Sequence, residues 1–202
     1  NMLSVFSLID VSKINDPETL ELINILKLTS ENLKETLNES IDELVENENI
    51  NTQIEEINLT ESLAEVLASI NSLVSDSKAI INVDFSAFEN VTFNKAYIKS
   101  IFLNLLTNSI KYSKPHQVPV ITIQSRKNNG VNQLIFSDNG LGFDMDKVKD
   151  KIFGLYEKFH SNVDSNGIGL YLVYNHITSL GGRIAVESKI NEGATFTISF
   201  KY

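Results

Sequence analysis

The N-terminal quarter of the chain carries apolar residues at three- and four-residue steps. Residues 17–48 contain no glycine and follow Asn15-Asp16; a capping residue before a proline in the first turn is a typical helix start. The pattern therefore predicts a long helix that begins near Pro17. Its apolar positions form one stripe, as in a coiled coil or a helix bundle. They are Ile23, Leu26, Leu33, Leu37, Ile41 and Leu44, with Ser30 in one gap.

A shorter apolar-periodic stretch precedes this helix. Residues 2–11 include Leu3, Phe6, Leu8 and Ile9, and residues 12–16 have the composition of a turn. We therefore predict an antiparallel helical hairpin as a first domain, residues 1–50. Two helices alone cannot enclose a core, so the stripe predicts a homodimer in which two hairpins form a bundle of four helices.

After the polar residues 47–52 the pattern becomes a mixture of helices and strands, which predicts a second domain, residues 53–202. Three segments have helical periodicity: residues 60–76, capped by Thr60, residues 94–112, and residues 168–180, ended by Gly181-Gly182. Six segments have strand patterns, two of them flanking the turn Asn128-Asn129-Gly130: residues 53–59, 79–85, 118–127, 131–137, 183–188 and 195–200. This order predicts an α+β fold, an α/β sandwich with helices over a mostly antiparallel sheet.

Charge and composition narrow the classes of function. The formal net charge is -9, which argues against nucleic acid or an anionic membrane as a partner. The chain has no cysteine, which excludes disulfides and thiolate metal sites. No apolar run approaches the ~20 residues of a membrane-spanning helix. We therefore expect a cytoplasmic fragment, and the sequence leaves open a membrane segment elsewhere in the full-length protein.

The helix predicted at residues 94–112 is apolar on most sides but has one polar face. Asn104 and Asn108 are four residues apart, and Lys111 and Tyr112 follow on the same face. Burying an amide without a partner costs about 1–3 kcal/mol, so this face indicates a ligand that supplies partners. Capping of neighbouring loops, or simple exposure to solvent, is the alternative explanation.

Two glycine-containing loops follow this helix. Asp138 ends a predicted strand and precedes Gly140 and Gly142, a spacing that permits a tight turn and the close approach of a flat ligand. Gly167 and Gly169 lead directly into the helix at residues 168–180, whose free N–H groups form a phosphate site. Each loop alone is equally consistent with an ordinary turn.

These segments, in this order, resemble the N, G1 and G2 boxes of sensor histidine kinases. Residues 104–113 match the N box, Asp138 to Gly142 the G1 box, and Gly167 to Leu170 the G2 box. Residues 152–160 resemble the F box, and residues 181–196 the closing hairpin. The resemblance spans residues 17–202 and implies the Bergerat-type ATP-binding fold of the gyrase, Hsp90, histidine kinase and MutL superfamily.

The resemblance implies a role for each matching residue. Asn108 would coordinate Mg²⁺ through its side-chain oxygen, with Asn104 in support. Lys111 would balance phosphate charge, which makes these three the predicted catalytic residues, and Tyr112 would lie against adenine. Asp138 would accept a hydrogen bond from the adenine amino group.

The remaining matches concern the loops. Gly140 and Gly142 would allow the lid segment to begin close to the adenine base. The phosphate end would be closed by Gly167, Gly169 and Leu170. A mobile lid would be anchored by Phe153, Tyr156 and Phe159, which could equally be ordinary core residues.

Two departures from the family pattern stand out. Ser165 replaces a common glycine in a short lid, residues 158–166, and would change how the lid hinges. No histidine lies in the family's phosphoacceptor motif; His116, His160 and His176 are expected to be surface or packing residues. We therefore expect the acceptor histidine upstream of Asn1, in a hairpin that this sequence carries only in part.

The function implied by the resemblance is Mg-ATP binding and transfer of the γ-phosphoryl group to that histidine, then to the receiver domain of a response regulator. This fragment is expected to bind ATP without autophosphorylation. Two alternatives stay open at this point. One is another ATPase or serine kinase of the same superfamily, and the other is a dimerising scaffold without kinase activity.

Overall fold

The computed structural model describes residues 14, 16, 18–31, 53–148, 151–155 and 167–201. The chain divides into two units, with the boundary between Asn51 and Thr52. Several predictions lie outside the described residues: the helix at 2–11, the second half of the long helix, the lid with Ser165, and Tyr156, Phe159 and His160. Among the described residues, no helix is long and apolar enough to cross a membrane.

In the first unit the structure describes one helix, α1 (residues 18–31). Asp16 caps it, since its Oδ2 accepts a hydrogen bond from the Thr19 backbone N at 3.0 Å. Four large apolar side chains of α1 are each more than half exposed: Leu22, Ile25, Leu26 and Leu28. An apolar helix surface of this size favours a partner, and the hairpin and its dimer stay predictions.

The second unit contains a two-stranded and a five-stranded sheet. The small sheet pairs β1 (Glu55–Asn58) with β3 (Asn90–Phe93) in antiparallel fashion. The large sheet has the order β2-β4-β5-β7-β6. Its strands are β2 (Ile80–Asp84), β4 (Val120–Asn128), β5 (Val131–Asp138), β6 (Arg183–Lys189) and β7 (Gly193–Ser199). Only β2 and β4 run parallel.

Within the described residues, five helices accompany these sheets. They are α2 (Leu59–Ser69), α3 (Asn71–Ser77), α4 (Lys95–Lys111), α5 (Met145–Val148) and α6 (Gly169–Ser179). The prediction of an α+β sandwich with a mostly antiparallel sheet is confirmed, and both predicted hairpins are present. The sequence patterns missed β3 and did not show that β2 joins β4 in parallel.

The helix predicted at residues 60–76 is wrong in two details. It is two helices, separated at Ile70 (φ -112°). Its cap is Asn58, whose side chain accepts from the Glu61 backbone N at 3.0 Å, whereas the Thr60 hydroxyl donates to Glu89 Oε1 at 2.8 Å. The reason is tertiary: pairing with the unpredicted β3 fixes the end of β1 at Asn58 in an extended conformation, as a capping residue requires.

The core lies between α4, α6 and one face of the large sheet. Ile98, Phe102 and Leu106 of α4 are completely buried, which explains why this helix is apolar on most sides. Alternate residues of the strands meet them, as expected for a sheet with one covered face: Ile121, Ile123, Leu134, Phe136, Phe196 and Ile198. This packing places the C-terminal end of α4 beside the end of β5 and the start of α6.

Candidate functional site

A cavity of about 290 Å³ opens where these elements meet. The predicted residues that line it come from α4, the end of β5 and the start of α6: Asn104, Asn108, Lys111, Tyr112, Asp138, Gly142, Gly167, Gly169 and Leu170. Most of the predicted site is therefore brought together although it spans three separate segments. The cavity has two ends, which we name the Asp138 end (Asp138, Gly142 and Ala194, with Gly140 behind Asp138) and the helix end (Asn104, Asn108, Gly169).

Asp138 is held by three hydrogen bonds. Its Oδ1 accepts from the backbone N of Gly140 at 2.8 Å and of Ala194 at 3.3 Å, and its Oδ2 lies 3.3 Å from the Ser109 hydroxyl, which shares its one hydrogen with Leu105 O at 3.0 Å. Burial is the main influence on this group and raises the pKa of Asp138, although all three hydrogen bonds act to lower it. A carboxylate offers about four acceptor sites, so one site stays available for an N–H group of a ligand.

Glycines at the Asp138 end are required by contacts within the protein. A Cβ on Gly140 would lie 2.7 Å from Tyr112 O, and a Cβ on Gly142 would overlap Lys189 O. Gly142 also has a φ of +63°, which favours glycine. A Cβ on Gly193 would overlap Asp138 O. These glycines therefore let the loop after β5 pack against α4 and the β6–β7 turn, which is a reason for them that the sequence did not reveal.

The helix end is polar and less fully hydrogen-bonded. Asn104 Nδ2 donates to Ser100 O at 2.9 Å, and a Cβ on Gly169 would lie 2.8 Å from Asn104 Oδ1. Among the described residues, the half-buried Asn108 amide makes no side-chain hydrogen bond. Helix α6 begins at Gly169, and no side chain in the described part of the chain caps it, so its first N–H groups offer donors to an anion.

These two ends fit the parts of a nucleotide. Asp138 offers an acceptor at a partly apolar end, while the helix end offers amide groups, the Lys111 cation and a helix N-terminus where phosphates and a hard cation would lie. Residues 94–202 match the profile of the histidine kinase-, DNA gyrase B- and HSP90-like ATPases. The chain belongs to this family.

Relatives of this ATPase domain include sensor proteins. The chain is 29% identical over 163 residues to cyanobacterial phytochrome A of Nostoc sp., which covers 77% of this chain and 20% of the relative. It is 25% identical over 187 residues to the signal transduction histidine-protein kinase ArlS of Staphylococcus haemolyticus, covering 84% and 41%. The chain thus spans less than half the length of these relatives.

Solved structures share the fold. The Acinetobacter baumannii histidine kinase AdeS aligns with a TM-score of 0.64 at 20% identity, covering 98% of this chain and 92% of that chain. The mycobacterial sensor histidine kinase MprB aligns with a TM-score of 0.62 at 20% identity, covering 73% and 97%. Together these matches confirm the resemblance to the ATP-binding catalytic domain of sensor histidine kinases.

Four residues of this ATPase domain that the sequence analysis named lie outside the cavity lining. Gly140 does not line the cavity but donates its N–H to Asp138. Phe153 also lies outside the lining; its ring stacks on Tyr174 with centroids 5.3 Å apart, beside the core rather than in the site. Of the histidines, His176 is buried and is a packing residue, and His116 is exposed in a turn with a φ of +61°.

Sequence reasoning missed several residues of the site. Ser109 and Ala194 hold Asp138, and the other missed residues form apolar walls: Leu141, Phe143, Ile152, Ile168, Leu172 and Phe196. Ser109 could have been found, because it follows Asn108 on a helix that passes the cavity. Ala194 could not, because it reaches Asp138 only through the pairing of β5 with β7.

Proposed function

We propose that residues 53–202 bind ATP with Mg²⁺ as the catalytic domain of a two-component sensor histidine kinase. The observation that carries this proposal is the hydrogen bonding of Asp138. Two backbone N–H groups and a serine hydroxyl fix its carboxylate, which leaves an acceptor for the adenine amino group. Guanine has a carbonyl at that position and offers no donor there, so the site selects adenine.

The rest of the cavity suits the triphosphate. The side-chain oxygen of Asn108, which accepts no hydrogen bond from another described residue, is a hard ligand of the kind Mg²⁺ prefers, and Asn104 lies one turn before it. Lys111 supplies a positive charge, while Tyr112 offers an aromatic face to the base. When bound, Mg²⁺ neutralises charge that develops on the phosphates during transfer. The contribution of the protein is to bind, orient and exclude water at the start of α6.

The proposal extends to the first unit. Helix α1 exposes Leu22, Ile25, Leu26 and Leu28, which supports a homodimer through the helical hairpin, residues 1–50. In this arrangement the phosphoacceptor histidine belongs to the hairpin of the full-length protein, and a response regulator receives the phosphoryl group from it. The nucleotide is thus used for signal transduction rather than for bulk ATP hydrolysis.

Isothermal titration calorimetry with ATP and GTP, each with Mg²⁺ and with EDTA, tests nucleotide binding. We expect ATP to bind at least about 10-fold more tightly than GTP, the difference expected for one hydrogen bond to a charged group, and Mg²⁺ to strengthen ATP binding. Equal affinity for the two bases would contradict the role of Asp138. Failure to bind either nucleotide would favour a scaffold without kinase activity.

A second experiment tests the location of the acceptor. Incubation of the 202 residues with γ-labelled ATP is expected to give no phosphohistidine, because none of His116, His160 and His176 lies in the acceptor motif of the family. An acid-labile, alkali-stable label on the chain would overturn this expectation. A steady release of labelled phosphate without labelled protein would instead indicate a hydrolytic ATPase.

A further inference from the structure

His176 is a buried histidine that belongs to none of the sequence motifs. It lies on α6, two turns after Gly169, and is 5% exposed. Its ring stacks on the Tyr97 ring of α4, with centroids 4.1 Å apart and an interplanar angle of 19°. Its Nε2 lies 3.1 Å from the Ser100 hydroxyl of α4. His176 therefore connects the two helices that form the helix end of the cavity.

Ser100 continues this connection to Asn104. The Asn104 amide nitrogen donates to Ser100 O at 2.9 Å and approaches the Ser100 hydroxyl at 3.3 Å. A carbonyl oxygen can only accept, so the NH₂ group of Asn104 must face Ser100. The amide oxygen is thereby turned towards Gly169, where an added Cβ would lie 2.8 Å away.

The Ser100 oxygen has two lone pairs and one hydrogen, so it can either donate to His176 Nε2 or accept from it while it accepts from Asn104. If the Ser100 hydroxyl accepts from Asn104, its single hydrogen is free to be donated to an unprotonated Nε2 of His176. Donation to Nε2 requires a neutral imidazole with its proton on Nδ1. Burial favours the neutral form, because it lowers the pKa of His176 to about 4.

We propose that His176 and Ser100 are positioning residues of the nucleotide site, which hold the amide oxygen of Asn104 towards the position of the cation. The inference rests on the proposed function, since it assigns a purpose to the orientation of Asn104. The contact between His176 and Ser100 joins α6 to α4 by polar groups within a mostly apolar interface. Such a contact fixes the position of Asn104 relative to the N-terminus of α6 more specifically than apolar packing does.

Three variants separate positioning from simple packing. His176→Phe keeps an aromatic ring against Tyr97 but removes the hydrogen-bond partner of the Ser100 hydroxyl. Ser100→Ala removes the hydroxyl, and His176→Gln restores a polar partner for it. Ser125→Ala is the matched control, because it also removes a buried serine hydroxyl, which accepts from Phe88 N at 3.1 Å in a part of the sheet away from the cavity.

Two measurements are made on each variant. Nuclear magnetic resonance reports the hydrogen exchange rate of the Asn104 side-chain amide without nucleotide, and calorimetry reports the affinity for ATP with Mg²⁺ and with EDTA. For His176→Phe and Ser100→Ala we expect about 2- to 10-fold faster exchange and a similar loss of Mg-ATP affinity, as for one hydrogen bond. We expect the affinity in EDTA to be unchanged, and His176→Gln to recover both properties.

The proposal is overturned if His176→Phe and Ser100→Ala lower only the melting temperature, as Ser125→Ala does, and leave the Asn104 amide and the Mg-ATP affinity unchanged. Equal loss of affinity with Mg²⁺ and with EDTA would also overturn it, because general loosening would then explain the effect. If the unmutated chain binds no ATP, the proposed function fails, and the exchange rates of Asn104 still decide whether His176 and Ser100 orient it.

Discussion

The Asp138 end and the helix end of the cavity differ in what holds them. At the Asp138 end, backbone N–H groups of Gly140 and Ala194 fix the carboxylate, and close backbone contacts at Gly142 fix the loop. At the helix end, Asn104 is held from within its own helix: its Nδ2 donates to Ser100 O, one turn earlier, and lies 3.3 Å from the Ser100 hydroxyl. One end is therefore rigid before any ligand arrives, whereas the other leaves polar groups for a ligand to satisfy. In the proposed function, the Asp138 end selects the base and the helix end receives the phosphates and the cation.

The largest expected effect is on stability at the Asp138 end. Gly142→Ala should lower the free energy of unfolding by about 3 kcal/mol or more, because its Cβ would overlap the backbone oxygen of Lys189 at a positive φ. Gly130→Ala is the matched control: its φ is +81°, and no atom lies within 4 Å of an added Cβ. It should cost only about 1–2 kcal/mol. Urea unfolding measures the loss of stability in both variants. Equal losses would show that backbone strain at a positive φ, rather than overlap with Lys189 O, causes the destabilisation.

His176 should give the helix end a pH-dependent stability. Burial lowers its pKa from 6.5 to about 4, so the unfolded chain binds a proton that the folded state does not. The His176 contribution is complete above pH 6.5 and falls by roughly 3 kcal/mol as the pH drops to 4. His176→Phe should remove this part of the slope in urea unfolding. The raised pKa of Asp138 changes the stability in the opposite direction as the pH falls. If His176→Phe shows the same pH dependence of stability as the unmutated chain, the assignment to His176 is contradicted.

Asp138→Asn should separate binding from folding. We expect ATP affinity to fall about 10- to 100-fold, since a hydrogen bond to a charged group is lost. Stability at neutral pH should hold or rise slightly, because burial raises the pKa of this carboxyl and the ionised form is therefore the costly one. Calorimetry measures the affinity for ATP, and thermal unfolding measures the stability. Asp146→Asn, at an exposed position, is the control. A folding defect in Asp138→Asn would contradict this account.

The smallest expected effect is at Asn108. Asn108→Ala should weaken Mg-ATP binding about 10-fold while leaving the melting temperature within about 2 °C, because within the described part of the chain its amide makes no side-chain hydrogen bond. Asn104→Ala, by contrast, also removes a bond to Ser100 and should lower stability. Loss of stability in Asn108→Ala would indicate that this amide serves the fold.

The prediction of the fold succeeded where the signal was local. The helix predicted at residues 94–112 is Lys95–Lys111 with Asn94 as its cap, since a capping residue and a continuous apolar pattern identify it without neighbours. The prediction failed where strand pairing decided the secondary structure. β3 is four residues long, and it is a strand because it pairs with β1. For the same reason the cap of α2 was placed at Thr60 instead of Asn58.

The sequence by itself determined the family, the two helices that line the cavity and the set of polar residues that meet there, because these depend on periodicity and on short ordered motifs. Tertiary structure decided how those residues are held. Ala194 reaches Asp138 across 56 positions of sequence, and His176 reaches Ser100 across 76. No local pattern encodes such contacts, because they exist only once β7 has paired with β5 and α6 has packed on α4.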